Sequence, residues 1–266
     1  MSPTLKDYYI SFSQLVTGER VAYETRAAAQ RSQDIEPYLP LTTRLRILDL
    51  ANGRLQPQYR LLKAAGHQVY GIDLVNHPPL TTLDHAYRLA RWLYTFHIPK
   101  NHKESKPDRL VCGDVGYLPY PHEAFDLVTS IAAFEHFHDV PRVVDELKRV
   151  LRPGGFGWIG IHPFTCPSGG HNVTAAQLPI QKMPPGVDAW DHLRRRRLPF
   201  SVYLNEWRIS QYLDVFGQNF EILRHYCVVR EGEHLLTEQI KKELVSFSIE
   251  ELTCMAYIIV FRKPES

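Results

Sequence analysis

The stretch Ile47-Leu48-Asp49-Leu50-Ala51-Asn52-Gly53-Arg54-Leu55, ILDLANGRL, decides how the chain is read. An apolar run closes on an acid and opens into a loop of small and polar residues, the pattern of a buried strand entering a ligand-facing turn. Asp73 ends the next apolar run, twenty residues beyond Gly53. In a doubly wound sheet Asp49, Gly53 and Asp73 converge outside the carboxyl ends of the strands, where ligands bind. A glycine there lets backbone approach a ligand, and an acid ending the second strand accepts both hydroxyls of a ribose. A plain turn beside a solvated acid is the alternative.

Outward from this stretch, short apolar runs alternate with helical segments. LRILDL precedes QYRLLKAAG and HQVYGIDLV, and a helix is expected over 81–97. RLVCGD, AFDLVTSIA, the helix PRVVDELKRVL and GFGWIGIHPF bring the strand count to five before residue 165. Strands buried on both faces read as continuous apolar runs, so a parallel sheet follows. Residues 5–35 read as helix interrupted at Thr17-Gly18, forming a cap over 1–40. The segment CPSGGHNVTAAQLPIQKMPPG holds seven prolines and glycines and breaks the alternation. Long irregular insertions are commonly functional, and 165–218 is read as a lid within a second unit, 41–266. A helix over 204–216, a strand over 220–229, a helix over 235–244 and a last strand in CMAYIIVFRK complete the chain. The last two strands are expected to pair antiparallel.

The 266 residues suffice for one large core. Hydrophobic residues make up 44% and charged residues 23%, and the net charge of +2 argues against a dedicated nucleic-acid binder. Cys112, Cys166, Cys227 and Cys254 lie far apart without a CxxC pair, so neither a zinc knuckle nor a disulfide framework is expected, and no metal is assigned. The N-terminus lacks a basic region followed by an apolar run, and no stretch reaches the roughly 18 apolar residues of a membrane span. A cytoplasmic protein with no membrane partner is expected, in which the sequon Asn172-Val173-Thr174 carries no glycan.

From about Leu45 to Pro163 the chain resembles a class I S-adenosylmethionine-dependent methyltransferase. The resemblance rests on ILDLANG, AAGHQVYGIDL, VCGDVGYLPYPHEAFDLVTS and EHFHDVPRVVDELKRVLRPGGFGWIGIHPF, in that order, and spans somewhat under half the chain. It implies a Rossmann-like, doubly wound, seven-stranded and mostly parallel sheet with an antiparallel C-terminal strand, a helical N-terminal cap and a lid insertion. It also implies S-adenosyl-L-methionine as cofactor and S-adenosyl-L-homocysteine as product, and the length of the lid, which can exclude water and define a pocket, points to a small-molecule acceptor. Asp73 then meets the ribose diol, Asp114 the adenine amino group, and Leu74 and Val115 flank the ring. Asp49 orders the loop near the methionyl ammonium, and Ser130 and Ile131 line the methyl-donor side.

Where that family has GxGxG, this chain has Ala51, Gly53 and Leu55. Alanine is tolerated if its φ stays negative, and leucine costs little if it opens a helix but roughly 1 kcal/mol or more in a left-handed conformation. The loop fits the GxGxxG dinucleotide pattern less well, since Ala51 and Gln56 replace its outer glycines.

Methyl transfer asks mainly for positioning, and a base is needed only for a protonated acceptor such as a hydroxyl. Thirteen histidines make any single one more ordinary than catalytic. Of His136, His138, His162 and His171, His171 is the first candidate and His162 the second, because ligands collect at strand ends and in the loop above them. Arg194–Arg197 reads first as a solvated face paired to acids and second as an anion site. Tyr203, Asn205, Trp207 and Arg208 suit either an acceptor pocket or helix packing, and Tyr8 and Tyr9 either a closing lid or core anchors. The expected reaction is methylation at oxygen. A binding protein without turnover and an NAD-dependent oxidoreductase are the alternatives, the latter because an acid about twenty residues past the loop serves both cofactors.

Overall fold

A computed structural model describes residues 12–98, 108–172 and 186–265. Seven strands form one sheet in the order β3-β2-β1-β4-β5-β7-β6. They are β1 (Arg46–Leu50), β2 (Gln68–Ile72), β3 (Leu110–Val111), β4 (Phe125–Ile131), β5 (Leu151–Ile161), β6 (Glu221–Arg230) and β7 (Cys254–Arg262). The pairs β1–β2, β1–β4, β2–β3 and β4–β5 are parallel, and β7 runs antiparallel to both β5 and β6. The mostly parallel seven-stranded sheet with an antiparallel last strand is therefore as expected. Dinucleotide-binding sheets run 3-2-1-4-5-6. Here β7 is inserted between β5 and β6, which separates this topology from the oxidoreductase alternative.

The helices are α1 (Glu19–Ile35), α2 (Pro57–Ala64), α3 (Thr82–Phe96), α4 (Val140–Val150), α5 (Asp191–Arg194), α6 (Ile209–Asn219), α7 (Glu238–Glu243) and α8 (Ile249–Thr253). Side chains alternate across the buried strands, so each face has its own core. Leu48, Leu50 and Val128 face Val144 and Leu147 of α4 and Phe216 of α6. Ile47, Leu127 and Trp158 pack with Ile35 of α1 and Leu62 of α2 on the other face. Val140, Val143, Val144, Leu147 and Val150 form the buried stripe of α4, and its N-cap Asp139 accepts from Arg142 N at 3.0 Å.

Residues 12–17 are helical, and Gly18, at φ 80°, breaks them from α1 as expected. Trp158 Nε1 donates to Asp34 Oδ2 at 2.9 Å, tying α1 to β5. Tyr8 and Tyr9 lie outside the described residues, as does 173–185 of the insertion. The helix read over 204–216 begins at Ile209, because Asn205 is drawn into bonds with 134–137, and it runs on to Asn219. The helix read over 235–244 is a short turn at Glu233–Leu235 followed by α7. No described helix is long and apolar enough to cross a membrane.

Candidate functional site

β1 has β2 on one side and β4 on the other, so the chain reverses its direction of winding at β1 and opens a crevice beyond its carboxyl end. Among the described residues, cavities of about 620, 420 and 330 Å³ lie there, each within the range of small-molecule sites. The first is walled by Asp49, Ala51, Gly53, Gln58 and the α1 residues Glu24 and Tyr23. The second is walled by Asp73, Leu74, Asp114, Val115, His138 and Arg142, and shares Ala51 and Ala132 with the first. The third is walled by Trp158, His162, Val228 and Met255, and shares Ile131, Ala132, Tyr23 and Ala27 with the first.

The loop after β1 is held by its neighbours. Asp73 Oδ2 accepts from Gly53 N at 2.8 Å and Oδ1 from Val75 N at 3.0 Å. Asn76 Nδ2 donates to Asn52 Oδ1 at 2.9 Å and to the Val111 carbonyl at 3.1 Å. Arg54 pairs with Asp84 at the start of α3, and Arg91 Nη1 donates to the Arg54 carbonyl at 2.8 Å. Ala51 sits at φ 49°, so the condition of a negative angle, under which alanine would cost little, is not met. Its amide is fixed to the Ile72 carbonyl at 2.8 Å, so tertiary bonding imposes the left-handed turn. Leu55 is not left-handed; Gln56 takes that conformation instead, at φ 57°.

Asp49 is 3% exposed, and its Oδ2 has no hydrogen-bond partner among the described residues. Burial pushes its pKa up to about 7, against the pull of the Arg31 charge and the Tyr59 amide. Arg31 is equally buried, and its Nη1 donates to Gln58 Oε1 at 2.8 Å. Gln58 Nε2 in turn donates to Glu24 Oε2 at 2.9 Å. Asp73, rather than Asp49, thus orders the loop, and Asp49 keeps a free acceptor at the wall of the first cavity. Asp114 is exposed and accepts from Gly116 N at 2.8 Å, while Leu74 is exposed and Val115 buried beside it. Ile131 lines two cavities, but Ser130 is fully buried and donates to the Leu50 carbonyl at 3.1 Å. The Ser130 side chain therefore ties β4 to β1 and does not line the methyl-donor side as expected.

His136, His162 and His171 come together. His171 lies with its ring centroid 4.8 Å from His136 and 4.9 Å from His162. Burial lowers the pKa of His162 and takes His171 down to about 3. His162 Nε2 lies 2.9 Å from Ser168 Oγ, which hydrogen-bonds Glu231. Of the two candidates, His162 is the one that lines the third cavity. His138 is apart, stacked on Tyr203 at 3.7 Å. Asn205 Nδ2 donates to the Phe134 carbonyl at 2.8 Å and Arg208 pairs with Glu251 at 2.7 Å, so these residues brace the turn after β4 and the end of α8. Arg194 pairs with Asp188 at 2.8 Å and Glu243 at 2.5 Å, and Arg196 with Glu206 at 2.6 Å, the paired face that was the first reading.

Sequence reasoning missed Glu24, Arg31 and Gln58. The signal was present: Glu24 and Arg31 share the helix face that carries Val21 and Ile35, and charges on an apolar stripe mark a buried polar site.

Residues 48–159 match the family model described as a methyltransferase domain. Over 119 residues the chain is 32% identical to the 27-O-demethylrifamycin SV methyltransferase of Amycolatopsis mediterranei, covering 44% of this chain and 38% of that protein. Over 111 residues it is 35% identical to the demethylmenaquinone methyltransferase of Thermus thermophilus, covering 41% and 44%. The matches thus span less than half the length of either relative. A solved SAM-dependent methyltransferase of Methanosarcina mazei shares the fold, with a TM-score of 0.53 at 17% identity over 87% of this chain and 97% of that one.

Proposed function

We propose that this chain, whose residues 48–159 match a family model described as a methyltransferase domain, transfers a methyl group from S-adenosylmethionine to a hydroxyl oxygen of a small-molecule acceptor. The observation that carries this reading is the meeting of these cavities at Ala132, which lines all three, with different chemistry in each. The first offers Asp49 Oδ2, a buried acceptor lacking a donor, which suits the cofactor's methionyl ammonium. The second offers Asp73 for a ribose diol and Asp114 for an adenine amino group, with Leu74 and Val115 as apolar walls. Gly53 gives the backbone its close approach, since nothing lies within 4 Å of where a Cβ would stand, and Ala51 forms the floor between the two cavities. Two relatives are named for methylating 27-O-demethylrifamycin SV and demethylmenaquinone, which favours a small acceptor here as well.

Bound S-adenosylmethionine supplies a methyl already activated by its sulfonium, so the protein's work is positioning. The third cavity, with Ile131, Trp158, Ile161, Val228 and Met255 in its wall, holds an apolar acceptor body. His162 is the histidine in its wall, which also carries Arg26 and Gln30. Ser168 gives its hydroxyl hydrogen to Glu231 and so accepts from His162 Nε2, leaving the neutral ring's lone pair on Nδ1 to take the acceptor's proton. His171, packed against that ring, holds its position.

Calorimetry with S-adenosylhomocysteine tests the cofactor half: the folded chain binds it, Asp73→Ala weakens it, and absence of binding sinks the reading. Labelled methyl transfer to a panel of hydroxylated acceptors tests the other half. His162→Gln is expected to lower turnover by about 10²–10⁴ while cofactor binding persists. Binding without transfer to any acceptor would leave a cofactor-binding protein without turnover.

A further inference from the structure

We propose that Glu135, His162 and His171 form a binding site for a divalent transition-metal ion of the zinc and iron(II) class. Their ligating atoms all lie within 4.8 Å of one another. Glu135, in the short turn Phe134–His136 after β4, is 1% exposed, and neither carboxylate oxygen has a hydrogen-bond partner among the described residues. A carboxylate taken out of water needs a counter-charge or donors. The nearest nitrogen of His136 stands 4.0 Å from Glu135 Oε1, too far for a hydrogen bond. No lysine or arginine is paired to Glu135 among the described residues. Both imidazoles stand within ligating reach of this acid, and a divalent cation held between them supplies the counter-charge it lacks.

The outer contacts fit the same reading. Metal-bound imidazoles usually donate their second ring N–H to a carbonyl, a carboxylate or another polar group, which fixes the tautomer. His162 Nε2 is engaged with Ser168 Oγ, itself bonded to Glu231, so Nδ1 is the ring's free donor. His171 Nε2 is buried without a partner, and a left-handed backbone at φ 51° aims this residue from the insertion back against His162. His136 Nδ1 lies 2.9 Å from the Tyr203 carbonyl, and its Nε2 stands 4.0 Å from Glu135 Oε1 at the edge of the group. Two imidazoles and one carboxylate with a further position suit zinc and iron(II). The site does not depend on the methyl-transfer reading, since none of its donors belongs to the loop after β1. A bound ion takes the lone pair that His162 otherwise offers an acceptor, so occupancy and proton acceptance by that ring exclude each other.

The test is zinc titration of the full chain, stripped with chelator and desalted, followed by calorimetry and by the visible absorption of the cobalt(II) form. One equivalent is expected to bind, and Glu135→Gln and His171→Gln are each expected to weaken it by at least about tenfold. Circular dichroism checks that each variant is folded. His171 is only partly buried, so its variant serves if Glu135→Gln fails to fold. Cys166→Ser separates this site from the neighbouring group His162, Cys166 and Glu231. Affinity unchanged by Cys166→Ser supports the proposal. Absence of stoichiometric binding, binding undiminished in both variants, or loss that follows Cys166→Ser overturns it. Cofactor binding measured alongside reports on the methyltransferase reading separately.

Discussion

Asp49 turns the cofactor reading into a pH dependence with a worked sign. Burial raises its pKa from 3.8 to about 7, and the charges that face it are Arg31 and Glu24 from α1 and Asp73 from the end of β2. An ammonium donor is held only by the ionised acid. With a pKa near 7, about one molecule in eleven carries the charge at pH 6 and about ten in eleven at pH 8, a tenfold change equal to roughly 1.4 kcal/mol. S-adenosylhomocysteine affinity should therefore rise about tenfold across that interval when measured by calorimetry. The stability of the free protein runs the other way. A raised folded pKa means that the folded state holds more protons than the unfolded one between pH 4 and 7, so stability falls as pH rises through that window and is level above it. Asp49→Asn should flatten both curves: the variant melts higher than the parent at pH 8 yet binds cofactor more weakly there. A site that gives up stability for a ligand has that signature. Affinity independent of pH in the parent, or an asparagine variant that keeps the dependence, would refute the assignment of Asp49 as the ammonium acceptor.

Other outcomes follow from single positions. Asp73→Asn removes the charge that Gly53 N and Val75 N donate to, and S-adenosylhomocysteine affinity is expected to drop by at least about tenfold, a charge-assisted bond being worth 1.5–3 kcal/mol. Ala51→Gly relieves a left-handed alanine and should raise stability by about 1 kcal/mol in urea titration, with cofactor binding kept. Gly157→Ala would set a Cβ 1.9 Å from Phe261 Cζ, and denaturant melts should show a loss of about 1–3 kcal/mol or more from overpacking.

The sheet was legible because strands covered on both faces read as near-continuous apolar runs. RILDL and FDLVTSI send successive side chains into opposite cores, and no surface pattern competes with that signal. Ends were harder to read. The stretch VYLNEWR before α6 has helical composition, yet Asn205 is more useful to the carbonyls of Phe134 and Phe137 than to a helix turn, and such long-range bonding has no local mark. The histidines show the same limit. His171 and His162 are both apparent as candidates from their places at a loop and a strand end, but only the packing shows that His162 reaches a cavity while His171 rests against it. Glu135 was invisible as a candidate, because an acid in EHFHD reads as solvated until its burial is known.

The missing glycines of the loop sharpen the point. Reasoning from residue types put the question at Leu55, where a bulky side chain replaces a glycine, yet Leu55 needs no unusual backbone and the left-handed angles fall on Ala51 and Gln56. A left-handed alanine costs roughly 1–2 kcal/mol, which two hydrogen bonds of about 1 kcal/mol each can offset. Here Ala51 N meets the Ile72 carbonyl, Gly53 N meets Asp73, and Asn52 is locked to Asn76. The loop keeps its shape through contacts with the ends of β2 and β3 rather than through glycine's freedom. Asn76→Ala is therefore expected to disturb it more than any change at Leu55. Cofactor affinity should fall in the first variant and hold within about twofold in Leu55→Ala, and the reverse order would mean that the loop is held from within its own sequence.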